Sequence, residues 1–218
     1  MNYRRICVWT GPLGQTDGLM RTLTSLPGAS GLRDPLSQEF IRLTGAVNAA
    51  PNASSVMAPT CDLLVMRNSA AHAIGIDLRK FSEDLHLFFL QHPDERLPSL
   101  THAVDDPDWQ VRAYTWQEKL YERFEDIGAR CLVLDARMWR SYPRRALRKI
   151  ADCLGVNATD FNPVIPQPHL LWSGEALLRL GPDEDLRERC LKSYHRLFLQ
   201  GILDFSAPES ESSLPLLA

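Results

Sequence analysis

Long apolar runs are missing from this chain: no stretch approaches the ~18 residues that crossing a bilayer requires. A secretory leader is not expected either, because Arg4 and Arg5 are followed by only a strand's length of apolar residues. Cysteine is sparse and unpatterned. Cys7, Cys61, Cys131, Cys153 and Cys190 are widely spaced, odd in number and form no Cys-x-x-Cys pair. That excludes the usual zinc spacings and a disulfide framework, so the thiols read as reduced and structural, with no metal expected. Excess charge is lacking too: 24 Lys and Arg against 27 Asp and Glu leave a net charge of -3. With that balance, and with no basic cluster interleaved with aromatics evident, nucleic acid and membrane surfaces are not expected as partners. A cytoplasmic location is the corresponding expectation.

What is present suits a soluble α/β protein. The 218 residues, 44% hydrophobic and 23% charged, can bury a continuous core without staples. One domain over residues 1–205 is expected, followed by a disordered tail over 206–218 that is rich in Ser, Glu and Pro. Apolar runs at 4–9, 62–66, 85–90 and 130–135 predict strands, and Ala73-Ile74-Gly75-Ile76-Asp77-Leu78 predicts another. Helical spacing predicts helices over 18–26, 37–47, 111–128, 143–154 and 183–203, with one more beginning at 94–100. Residues 48–60 and 157–182 read as irregular, and the acidic run Asp105-Asp106-Pro107-Asp108 as a solvated loop. Strands alternating with helices predict an α/β fold, a mostly parallel central sheet flanked by helices. In such sheets the ligand lies beyond the carboxyl ends of the strands. Here those ends are Thr10 to Asp17, Gln91 to Ser99 and Asp135 to Trp139.

The first of these has the layout of a phosphate-binding turn. Ile6-Cys7-Val8-Trp9 leads into Thr10-Gly11-Pro12-Leu13-Gly14-Gln15-Thr16-Asp17 and then an apolar helix start. Strand, glycine-bearing loop and helix place backbone N–H groups toward an anion. Yet the loop has no Lys or Arg, and Asp17 brings a negative charge to the helix N-terminus, where a carboxylate is itself favourable.

Three stretches together resemble one family, the P-loop sulfotransferases that use 3′-phosphoadenosine 5′-phosphosulfate (PAPS), and its short bacterial members in particular. Pro12 and Leu19-Met20-Arg21 are similar to the family's first loop, and Asp34-Pro35-Leu36 to its following Glu-Pro-Leu. Gln91-His92-Pro93 with Ser99 resembles its second, Arg-(His/Asp)-Pro segment, and Leu132 to Gly155 its late strand and helix. The resemblance implies a sulfotransferase-like fold and PAPS, or its product 3′-phosphoadenosine 5′-phosphate (PAP), as cofactor. It implies cofactor-binding roles for Gly11, Pro12, Gly14, Gln15, Thr16, Gln91 and Ser99, with no metal. His92 and Asp34 are the candidate catalytic residues, a base being needed to deprotonate an acceptor hydroxyl.

Charge is where the pattern departs. Leu13, Asp17 and Gln91 stand where the family carries a basic residue, a hydroxyl and an arginine. Losing two charge-assisted contacts and adding a repulsive carboxylate removes ~4–6 kcal/mol, or roughly three to four decades of affinity. The expectation is therefore a degraded PAPS site in a non-catalytic or accessory subunit. It would pair, as a homodimer or heterodimer, with a related active sulfotransferase in small-molecule biosynthesis. The alternative is an active PAPS-dependent enzyme acting on a small-molecule hydroxyl, with Arg21, Arg33, Arg67 or Arg96 as compensating cations.

Overall fold

The computed structural model describes residues 4–11, 16–37, 61–73, 75–97, 106–164 and 184–205. Pro12, Leu13, Gly14, Gln15, Ser99, Trp172, all but Ser37 of the helix expected over 37–47, the 48–60 segment and the 206–218 tail lie outside them.

Five parallel strands form the middle layer: β1 (Arg4–Thr10), β2 (Ala29–Arg33), β3 (Leu63–Ser69), β4 (Leu85–Leu90) and β5 (Arg130–Asp135). Their order in the sheet is β2-β3-β1-β4-β5. β1 is central because it is apolar on both faces, as a strand covered by helices on each side must be. Its register aligns Thr10 with Ser69 of β3 and with Phe89 of β4, so the three strands end together at one edge.

The two faces of β1 divide the core. Ile6 and Val8 join Leu85, Leu87 and Phe89 of β4 under α1 (Asp17–Leu23) and the later helices α3 (Ala136–Ser141) and α4 (Pro143–Leu154). Cys7 and Trp9 join Leu64, Met66 and Phe88 under α2 (Pro107–Asp126) and α5 (Glu184–Phe205). Helices thus cover both faces. The result is the expected α/β fold, a parallel sheet between helical layers.

Several elements differ from expectation for identifiable reasons. The strand expected over 73–78 does not form among the described residues there: 3-10 turns at Ala70–Ala73 and Leu78–Phe81 flank Gly75, whose φ is 80°. The strand expected over 62–66 runs on to Ser69 and so includes Arg67. β2 is a strand although its small, part-exposed residues give little apolar signal. In the acidic run, residues 106–108 form a helix start, because the Asp106 carboxylate caps α2 by accepting from Asp108 N–H (3.0 Å) and Trp109 N–H (3.2 Å). Tyr114, Tyr121 and Phe124 of that helix are buried against the sheet.

Candidate functional site

The site is built where β1, β3 and β4 end. Gly11 follows β1, and the guanidinium of Arg96 occupies the space that a Cβ on Gly11 would need. Arg96 lies in the helical turn 93–97 after β4, is 3% exposed, and packs over the Tyr114 ring at 5.0 Å. Only glycine at position 11 lets a cation come this close to the start of the loop. Burial pushes the Tyr114 phenol above its ordinary range, with the charge of Arg96 pulling partly back.

Beyond the loop, Thr16 precedes α1 but does not cap it: no side-chain cap bond forms. Among the described residues its hydroxyl is buried without a hydrogen-bond partner, and the residue is 1% exposed. An unsatisfied buried hydroxyl costs about 1–3 kcal/mol. Asp17 is the first residue of α1 and points outward, its side chain 61% exposed. There it meets two arginines, Arg33 Nη2 at 3.3 Å and Arg67 Nη1 at 3.9 Å. Arg67 is among the compensating cations named from the sequence. It sits on β3.

A second pair lies on the same side. Asp34 follows β2 with φ 50°, a left-handed conformation uncommon for a residue with a side chain. Its N–H donates to Arg67 O (2.6 Å), and its carboxylate accepts from Ser69 N–H (3.4 Å) and contacts His72 Nδ1 at 2.8 Å. Strand register thereby brings together two residues 38 apart in sequence, next to the end of β1. The pair is partly exposed, with side chains 31% and 25% accessible.

His92 is placed elsewhere, at the corner between β4 and β5. Its ring meets Tyr194 edge-on at 4.9 Å, and its Nδ1 accepts from Asp94 N–H (3.3 Å). Burial first, then the charge of Arg137, lowers its pKa. Around it runs a network that joins the 93–97 turn to α3 and α5. Arg187 holds Asp94 with two bonds (2.6 and 3.1 Å), while Arg137 and Arg140 share Glu95. Tyr194 donates its hydroxyl to Asp135 (2.8 Å), which also caps α3. Gln91, 8% exposed, ends β4 as a neutral group.

The structure therefore brings Gly11, Thr16, Asp34 and three arginines to one edge, and puts His72 rather than His92 beside Asp34. Sequence reading named Arg96 and Arg67 among four candidates but could not position them. It gave no sign of Gln117, whose amide donates to Trp9 O (3.3 Å) and Phe89 O (3.2 Å) and ties the ends of β1 and β4 to α2.

No family model and no curated protein matches the chain. Among solved structures it is similar to a sulfotransferase from Alicyclobacillus acidocaldarius, at 13% identity and a TM-score of 0.57, over 92% of this chain and 96% of that one. At that identity the likeness concerns the fold. The fold is of the sulfotransferase type.

Proposed function

We propose that this chain binds a PAPS-type donor and transfers its sulfuryl group to an acceptor hydroxyl. The observation that carries the reading is the buried, unpartnered hydroxyl of Thr16 beside the loop whose first residue, Gly11, is covered by Arg96. A hydroxyl kept from both solvent and helix capping is poised for an external acceptor of its proton. The cationic deficit of the loop is met from outside it, by Arg96 on one side and by Arg33 and Arg67 on the other. Two restored charge-assisted contacts at ~1.5–3 kcal/mol each offset most of the ~4–6 kcal/mol deficit expected from the loop alone.

The donor supplies an activated sulfuryl group on a phosphate leaving group. The rest falls to the protein. Asp34 accepts from His72 Nδ1–H, which fixes the imidazole tautomer with its lone pair on Nε2 and stabilises the imidazolium formed when that atom takes the acceptor proton. Arg96, Arg33 and Arg67 neutralise charge where a phosphate would lie. Gln117 and the ion pairs of the 93–97 turn hold Arg96 in place. We assign the base to His72; His92, pinned by Asp94 and Tyr194, is a positioning residue in this scheme.

A second reading keeps the chain as an accessory subunit that pairs with an active relative. It is favoured by the neutral Gln91 at the end of β4 and by Asp17 already lying between two of the arginines. Calorimetric titration with PAP separates the two. Micromolar binding is the expected result; no binding at millimolar PAP would remove the transferase reading and leave the accessory one.

A further inference from the structure

Two buried amides fall short of partners on the side of the sheet away from Asp17. Asn68 is the last residue but one of β3 and is 1% exposed. Among the described residues, neither Oδ1 nor Nδ2 of its side chain has a hydrogen-bond partner. Gln117 of α2 is also 1% exposed, and its Oε1 is unpartnered in the same sense. Buried polar side chains are nearly always bonded, so each of these needs a water or a ligand.

Strand register brings the two amides together. Side chains alternate along a strand, so Asn68 falls on the face of Leu64 and Met66, under α2. Arg67 beside it turns the other way, to Asp17. Asn68 is the register partner of Trp9, and Gln117 Nε2 donates to Trp9 O (3.3 Å) and to Phe89 O (3.2 Å). Those two bonds fix the Gln117 amide, so its Oε1 has one orientation.

Aromatic surface lies on the same side. α5 packs on β5 and takes the flank of α2 that carries Glu118, which is bonded to Arg196 (2.6 Å). Helical spacing puts Trp109 and Trp116 on the opposite flank, toward β3. Both are half-buried, with their rings edge to face at 6.4 Å. The 3-10 turn at Ala70–Ala73, which follows β3 and carries His72, also packs against α2.

We propose that Asn68 and Gln117 form the polar end of a subsite for a neutral, planar molecule bearing a carboxamide or lactam, walled by Trp109 and Trp116. The hydrogen-bond inventory selects the class. Asn68 has a donor and an acceptor to satisfy at once, and Gln117 adds a second acceptor. A carboxylate or phosphate only accepts and would set its oxygens against theirs. An ammonium only donates and would leave the Asn68 N–H groups unpaired. An amide holds a C=O and an N–H side by side, as Asn68 does, and pairs with it in two bonds. A few fixed polar groups beside aromatic walls are the usual make-up of a small-molecule site, and indole rings pack well on a flat ligand. That this molecule is the sulfuryl acceptor rests on the transferase reading above; that it binds does not. On that reading the subsite presents the acceptor hydroxyl to His72, four residues beyond Asn68.

The test titrates the full chain with 4-hydroxybenzamide, 4-methylphenol and 4-hydroxybenzoate, read by tryptophan fluorescence and calorimetry. The benzamide is expected to bind about tenfold or more tightly than either of the others, because a site built for hydrogen bonds rejects ligands that lack them. Asn68→Leu is expected to abolish the preference for the benzamide over the methylphenol without lowering the thermal midpoint, since it replaces a buried unpaired amide by an apolar group of similar size. If it does lower the midpoint, Asn68→Ala is measured in its place, with the same loss of preference expected. No binding of the benzamide, equal binding of all three, or a preference that survives in the folded variants overturns the proposal and leaves Asn68 bonded to an internal water. Benzamide binding without PAP binding would leave the subsite standing and remove the transferase reading.

Discussion

Acidifying this protein should cost it stability through one buried imidazole, His86 on β4. The residue is 0% exposed, stacks on Phe124 at 3.6 Å between ring centroids, and uses both nitrogens. Trp9 donates its indole N–H to His86 Nδ1 (3.0 Å), so the ring proton sits on Nε2 and is donated to Phe81 O (2.8 Å). A second proton would have to enter at Nδ1 and break the tryptophan bond. Burial is accordingly the main cause that lowers the pKa from 6.5 to about 4. The sign follows from which state binds protons. Below 6.5 the unfolded chain protonates its histidine while the folded chain does not until about 4, so stability falls as pH falls through that window. Between pH 7 and pH 5 the loss attributable to this residue is about 2 kcal/mol, with a ceiling of ~3 kcal/mol below the folded pKa. Urea denaturation across that range should show a steeper decline for the wild type than for His86→Gln, whose amide cannot titrate. Parallel pH profiles for the two proteins, or a native-state His86 NMR titration near 6, would refute the reasoning.

Two further outcomes concern the site. His72→Ala should lower kcat by about 10²–10⁴, the usual contribution of a positioned base, with PAP affinity changed little. Loss of PAP binding on that substitution would instead make His72 a structural partner of Asp34. Asp17→Ser should tighten PAP binding by about tenfold at low salt, because the carboxylate that competes with the phosphate for Arg33 and Arg67 is gone. Calorimetry at two salt concentrations reads this, and the gain should shrink at the higher one; unchanged or weaker binding would mean that those arginines do not face the ligand.

How far the fold could be read in advance depended on how much each segment buries. β1, β4 and β5 are apolar on both faces, and a run such as Leu85-His86-Leu87-Phe88-Phe89-Leu90 admits few other readings. Ala29-Ser30-Gly31-Leu32-Arg33 lies at the edge of the sheet, half exposed, and gives no such pattern. Ala73 to Leu78 showed the opposite error, since its alternation of Ile and Leu suits a strand, while Gly75 at φ 80° and the Asp77 cap make it two turns. α3 has six residues, too few for helical periodicity to register. The end of β4 was legible as a local pattern. Arg96 over Gly11 and His72 against Asp34 were not, because each pair is made by strand register and chain reversal between distant segments.

The same distinction bears on where the positive charge of the site comes from. A cation inside the loop would be solvated and mobile before the ligand arrives. Arg96 has already lost its water, being 3% exposed, so the cost of burying it is met during folding and an approaching anion meets an oriented charge at low local dielectric. Arg33 and Arg67 work differently. They are held by Asp17 through long, exposed contacts of 3.3 and 3.9 Å, which are worth little in water. Asp17 therefore satisfies these arginines at small energetic cost and, on the transferase reading, gives them up to a phosphate by a side-chain rotation. On that reading the carboxylate that looks like damage in the sequence is an exchangeable counter-ion. Arg96 should supply most of the binding energy, and Arg33 and Arg67 most of its salt dependence.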